Sequence, residues 1–290
     1  YTDPELGIPV YSLYGEHRKP SPEMLKNVEV LFVDLQDVGA RYYTFIWTLF
    51  LCMDACEKQG IPVVVLDRPN PINCIDEEGP VLDLGYTSFV GLHSIPVRHG
   101  KTIGELARLF KAERFPSCEL YVMEMENYDK RMWFDETGLP WVMPSPNMPT
   151  LDTAIVYPGM CLLEATNVSE GRGTTRPFEI FGAPFIDAEK LCRYMNGLKL
   201  SGVLFRENYF QPTFHKGAGS ICGGAQIHVL DRNVFRSFDM TIKLLQYLFH
   251  EYPNDFAWKA PPYEYEFEKL PIDILLGSGT FRKEFIESGL

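Results

Sequence analysis

Two unbroken apolar runs constrain this chain more than anything else in it: Val30-Leu31-Phe32-Val33 and Ile61-Pro62-Val63-Val64-Val65-Leu66. Runs of β-branched, aliphatic and aromatic residues without alternation are the pattern of strands covered on both faces of a parallel sheet. Between them, Thr44 to Gln59 is apolar almost all round and stops at Gly60, a residue suited to a left-handed helix C-cap. Strand, helix and strand in this order predict a right-handed parallel βαβ unit. Both strands run into polar loops. The first is Asp34 to Tyr43, with Gln36, Asp37, Arg41, Tyr42 and Tyr43; the second is Asp67-Arg68-Pro69-Asn70-Pro71. In open α/β sheets ligands bind at the carboxyl ends of the strands, so these loops read as the floor of a site.

Further along, Thr102 with Glu105 three residues on spells a capping box for a helix reaching Phe115, and Glu119 to Glu124 reads as a third strand. Ser21 and Pro22 start a short helix earlier in the chain. Three strands are few for such a sheet, and the expectation is an incomplete α/β domain over residues 1–145. The proline-rich stretch Trp141 to Thr150 is the expected connection. Residues 146–290 show a short helix over Tyr157 to Ala165, a polar loop at Asn167 to Thr175, and a helix capped by Asp187. Strands follow at Val203 to Phe210 and Gly224 to Asp231, then an amphipathic helix from Ser237 to Tyr252. Without a βαβ rhythm, this part reads as a smaller α+β domain.

The net charge of −12 speaks against nucleic acid or an anionic membrane surface as partner, and no apolar run is long enough for a membrane span. Seven cysteines, an odd number in mostly apolar segments and without paired CxxC spacing, read as buried thiols. The six histidines are scattered, and no metal site is expected. Gly217 to Gly224 matches a dinucleotide fingerprint only in part, and a strand follows it where a helix is needed. Ser169 to Thr175 lacks the spacing of a phosphate loop. What remains is carboxylates, arginines, amides and tyrosines with no evident cofactor. That set suits a glycoside hydrolase working with two carboxyl groups, and it equally suits a binding protein.

Six stretches in order, VDLQDVGARYYT, VVLDRPNP, EGPVLD, IPVRHGKTIGELA, PSPNMPT and ATNVSEGRGTTRPFE, resemble the DUF1343 family over nearly the entire chain. Its characterised members are exo-β-N-acetylmuramidases (the NamZ type, glycoside hydrolase family 171). The resemblance implies a Rossmann-like domain followed by a smaller C-terminal domain, with the site in the cleft between them. It further implies release of N-acetylmuramic acid from the non-reducing ends of peptidoglycan fragments, no metal or nucleotide, and an extracytoplasmic location. Also implied is a portion ahead of Tyr1 carrying a Pro-Glu-His-Gly type segment, whose glutamate is a leading catalytic candidate.

On that footing Asp37 and Glu170 are the carboxylates expected at the reaction centre. Arg41, Arg68 and Arg172 are expected to face the lactyl carboxylate of muramic acid, for which a bidentate guanidinium is suited. Tyr42 and Tyr43 would pack on the sugar. Gln36, Asp67, Asn70, Asn147, Asn167 and Thr174 would bind its polar groups. The alternative is a non-catalytic protein that binds muropeptides or sugars.

Overall fold

A computed structural model of the chain describes residues 1–288. A four-residue helix, α1 (Pro22–Leu25), has Ser21 as its N-cap, and strand β1 (Leu31–Val33) follows. Helix α2 (Phe45–Gln59) ends on Gly60 at φ 67°, the left-handed cap that its sequence called for. Strand β2 (Val63–Leu66), helix α3 (Ile103–Glu113) and strand β3 (Leu120–Met123) complete the first unit. The three strands are parallel in the order β1-β2-β3. Thr102 and Glu105 form the reciprocal capping box at the start of α3.

One expectation about this sheet is corrected. Its register places Leu31, Val63 and Leu120 on one face together with Val33, Val65 and Val122. These residues pack with the apolar sides of both α2 and α3. The opposite face carries Phe32 and Tyr121, 64% and 52% exposed, and Met123, 58% exposed. Both helices therefore cover the same side, and the apolar character of β1 does not reflect burial on two faces among the described residues.

Helix α4 (Leu151–Met160) begins six residues before the predicted start, with the Thr150 hydroxyl accepting from the Thr153 amide, and a 3₁₀ turn over Cys161–Ala165 continues it. A second sheet is antiparallel in the order β4-β6-β5 (Ile180–Ala183, Cys222–Val229, Val203–Phe210). Strand β4 was not foreseen: it is four residues long and includes Gly182, so it has neither length nor alternation. Helix α5 (Ala188–Gly197) is capped by Asp187 as expected. Helix α6 (Ser237–Glu251) crosses α4 closely at Gly159, where the Ser237 hydroxyl accepts the Gly159 amide at 2.9 Å. A short helix, α7 (Pro271–Leu276), closes on Gly277. The architecture is thus a parallel α/β unit followed by a smaller antiparallel unit. Their contact is apolar and continuous: Val38, Ala40, Tyr42 and Tyr43 from the β1 loop share one core with α4, α6 and α7. All seven cysteines are free and buried.

Candidate active site

Two adjoining cavities, about 410 and 580 Å³, lie along the junction of the two units. Tyr14, Glu164, Arg172, Tyr263 and Glu264 line both, so these residues form the partition between them. The first cavity adds Tyr42, Tyr43 and Asn147; the second adds Asn167, Glu170, His215, Lys216 and Lys259.

Glu164 lies within the 3₁₀ turn after α4, and Glu170 and Arg172 come from the loop that leads into β4. Gly171 permits that loop: it has φ 80°, and a Cβ there would lie 2.4 Å from the Ile180 carbonyl oxygen. Arg172 bridges the two acids, with Nη2 2.5 Å from Glu164 and Nε 3.2 Å from Glu170. Burial works against the Arg172 charge, but Glu164 and Glu170 outweigh it and raise its pKa above the ordinary arginine value. Lys216 sits 2.6 Å from Glu170 and also donates to the carbonyls of Leu163 and Thr166. Burial lowers its pKa despite Glu170. The Tyr263 hydroxyl donates to Glu164 at 2.9 Å. Glu264 is half-buried; burial first and the Glu164 charge second push its carboxyl above the ordinary glutamate range. Lys259 is exposed, with its ammonium 5.4 Å from the Tyr263 ring centre, and no carboxylate lies within ion-pair distance of it among the described residues.

Of the residues singled out from the sequence, the cleft collects Tyr42, Tyr43, Asn147, Asn167, Glu170 and Arg172. Within that group, Tyr42 is buried and its hydroxyl donates to the Pro158 carbonyl at 2.7 Å. Asn167 spends its amide on Asp255 and Ala257.

The others are placed elsewhere. Asp37 is buried, with Oδ2 accepting the Gly39 amide at 2.7 Å and lying 3.0 Å from His99 Nε2; it shapes a turn. Arg41 is fully buried and donates to the carbonyls of Pro80, Ile95 and Leu275, which leaves no route to a lactyl carboxylate. Gln36 donates to the carbonyls of Asp37 and Pro69, tying the two strand-end loops together. Asp67 accepts the Gly104 amide and the Thr102 hydroxyl, each at 2.8 Å, and so caps α3. Asn70 holds its own turn through the Ile72 amide and the Lys101 carbonyl. Thr174 bonds back to the Gly171 carbonyl. Arg68 pairs with Asp34, and both line a separate cavity of about 510 Å³ at the carboxyl edge of the parallel sheet, with Asp67 and Tyr128.

Glu164, Lys216, Lys259, Tyr263, Glu264 and Tyr14 were not singled out from the sequence. Glu164 did leave a signal: it is a carboxyl within Cys161-Leu162-Leu163-Glu164-Ala165, an apolar helical run in which an acid must find a partner.

Fold and cleft together define a two-unit α/β protein with a junction site of glutamates, basic side chains and tyrosines. Residues 1–152 match the family described as "Exo-beta-N-acetylmuramidase NamZ, N-terminal", and residues 155–289 its C-terminal counterpart. The chain is 48% identical over 289 residues to "Peptidoglycan beta-N-acetylmuramidase NamZ" of Bacillus subtilis (strain 168), spanning 100% of this chain and 68% of that protein. It superposes on two crystal structures of DUF1343 family proteins from Bacteroides fragilis NCTC 9343. One has a TM-score of 0.89 at 37% identity, covering 98% of this chain and 74% of that one. The other has a TM-score of 0.76 at 30% identity, covering 100% and 74%. The chain belongs to the NamZ (DUF1343) family.

Proposed function

We propose that the protein is an exo-acting β-N-acetylmuramidase that releases N-acetylmuramic acid from the non-reducing ends of peptidoglycan fragments. Its 48% identity over 289 residues to a peptidoglycan β-N-acetylmuramidase supports the activity. The single structural observation that carries the reading is the pair of joined cavities with Glu164, Glu170 and Glu264 in their walls. Glycoside hydrolysis asks for two carboxyl groups in unlike environments, one to give a proton and one to stabilise or attack the anomeric carbon. Here two glutamates are paired with cations and the third is not. The aromatic side of the first cavity, Tyr14, Tyr42 and Tyr43, supplies rings for a pyranose face.

N-acetylmuramic acid differs from N-acetylglucosamine by a lactyl ether that ends in a carboxylate. Arg172 is committed to two acids, and Lys216 to Glu170 and two carbonyls. Lys259 is the cleft cation free to take that carboxylate among the described residues. The substrates would be muropeptides or other N-acetylmuramic-acid-ended saccharides, and because these lie in the cell wall the enzyme would act outside the cytoplasmic membrane. The test is to incubate the full chain with 4-nitrophenyl β-N-acetylmuramide and with the disaccharide of N-acetylmuramic acid β-1,4-linked to N-acetylglucosamine. Release of N-acetylmuramic acid from both is expected. Binding of the disaccharide without any turnover would overturn the enzyme reading in favour of a binding protein.

A further inference from the structure

We infer that Glu264 is the general acid of the cleft, the group that protonates the glycosidic oxygen as the bond to the anomeric carbon breaks. The inference rests on the muramidase reading and adds the residue that performs its proton transfer.

Position is the first ground. Glu264 lies in the partition shared by the two cavities, beside Glu164, Arg172, Tyr14 and Tyr263. A bond cleaved at that partition has the departing sugar in one cavity and the remainder of the fragment in the other.

Partnering is the second. Glu164 is held by Arg172 and the Tyr263 hydroxyl, and Glu170 by Lys216 and Arg172. Glu264 has no basic group within ion-pair distance among the described residues. A carboxyl that must carry a proton to the reaction cannot be bound to a cation that strips it. The charged and titratable groups facing it are Glu164 and Tyr14 on one side and Arg172, Lys259 and Arg18 on the other. Burial and Glu164 prevail over the three cations, so the proton is kept to higher pH than on a free glutamate.

Backbone geometry is the third. Tyr263 and Glu266 exchange amide-to-carbonyl hydrogen bonds of 2.9 Å in both directions, closing a two-residue turn. Its central residues, Glu264 and Tyr265, have φ 45° and 67°. Positive φ at both positions is the pattern of a type I′ turn, for which Asn-Gly is the favoured pair. A glutamate and a tyrosine there each cost roughly 1 kcal/mol that Asn-Gly would avoid. The turn keeps its strained residues, and what it gains is a carboxyl fixed at the partition.

The step balances. The Glu264 proton moves to the glycosidic oxygen, which keeps the electron pair of the broken bond. Water then supplies hydroxide to the anomeric carbon, and its remaining proton returns to Glu264.

The leaving group provides the test. Glu264→Gln keeps size and hydrogen bonding but cannot give up a proton. 4-Nitrophenolate departs without protonation, whereas the N-acetylglucosamine hydroxyl does not. The expected result is a loss of about 100-fold or more in kcat/KM on the disaccharide. On 4-nitrophenyl β-N-acetylmuramide the loss should stay below roughly 10-fold, within what a neighbouring polar contact supplies. The alkaline limb of the disaccharide pH profile should also disappear. Glu264→Asp, which withdraws the acid by one methylene, serves if the first variant melts early; it should show the same split between substrates at an intermediate level. Equal losses on both substrates, or no loss on either, would sink the assignment while leaving the muramidase reading in place. A full chain inactive on both substrates takes down both readings.

Discussion

Arg41 offers the sharpest separation between a ligand-binding residue and a structural one. Replacing it with Met keeps the apolar stem and removes the guanidinium. That group has no exposed surface and makes three hydrogen bonds to carbonyl oxygens, to Pro80 and Ile95 at 2.9 Å and to Leu275 at 2.6 Å. Hydrogen bonds from a charged donor contribute about 1.5–3 kcal/mol each, so the three are worth ~7 kcal/mol. Against this, burial lowers the Arg41 pKa from the ordinary arginine value to about 10. That shift represents about 3 kcal/mol spent on desolvating the charge, which the substitution recovers. The net loss comes to about 4 kcal/mol, in line with breaking a buried charged contact and orphaning its partners. For a chain of this size that is a fall of about 8 °C in Tm, readable by circular dichroism or by a lowered urea midpoint. Muramic acid affinity, measured by calorimetry below the new Tm, should be unchanged. A variant with the wild-type Tm and a tenfold weaker Kd would refute the reasoning and return Arg41 to the role of carboxylate reader.

Three further outcomes are expected. Gly159→Ala would place a Cβ 2.0 Å from the Ser237 carbonyl oxygen and 2.4 Å from Thr241 Oγ1. Helices α4 and α6 would have to separate, at about 3 kcal/mol or more, and thermal melting would show it. Lys259→Gln should raise KM for N-acetylmuramides several-fold and leave affinity for N-acetylglucosamine unchanged; equal effects in competition assays would exclude a lysine–carboxylate contact. Glu264→Gln should alter stability in a pH-dependent way. The folded state holds the Glu264 proton above the unfolded pKa of 4.5, so its contribution is complete below that value and is lost as pH rises through the folded pKa. The variant should therefore melt above wild type at pH 8 and level with it at pH 4; a constant offset across that range would contradict the raised pKa.

Local chemistry made much of this fold legible. The Gly60 cap, the Thr102–Glu105 box, the Asp187 cap and the full extent of β5 are each set by residues within a few positions of one another. The coverage of the parallel sheet was not legible, because Phe32 and Tyr121 are the same residue types whether a face is covered or bare. Nor was β4, whose pairing depends on Gly223 to Gln226 some forty residues away. The site divides in the same manner. Glu170 and Arg172 stand out in a glycine-punctuated loop. Glu264 lies in YEYEFE, an unremarkable acidic stretch, and what marks it, its place in both cavity walls and the positive φ of its turn, belongs to the fold.

The polar loop after β1 contributes to the site in a way that residue types alone did not indicate. Gln36 links the two strand-end loops, Arg41 reaches the Leu275 carbonyl of α7, and Tyr42 reaches the Pro158 carbonyl of α4. Its conspicuous donors are thus bound to backbone carbonyls, those of Gln36 and part of Arg41 within the first unit and those of Arg41 and Tyr42 across to the second. Donors bound to carbonyls cannot also bind a substrate, but they fix how the two units meet. Both cavities lie along that junction, so the spacing between the N-terminal tyrosines and the C-terminal glutamates depends on those same bonds. A loop that looks like a ligand floor therefore acts mainly as a clamp. The chemistry falls to acids and bases on the far side of the junction, where Glu164 is tied by Arg172 and Tyr263 and Glu264 has no ion-pair partner among the described residues.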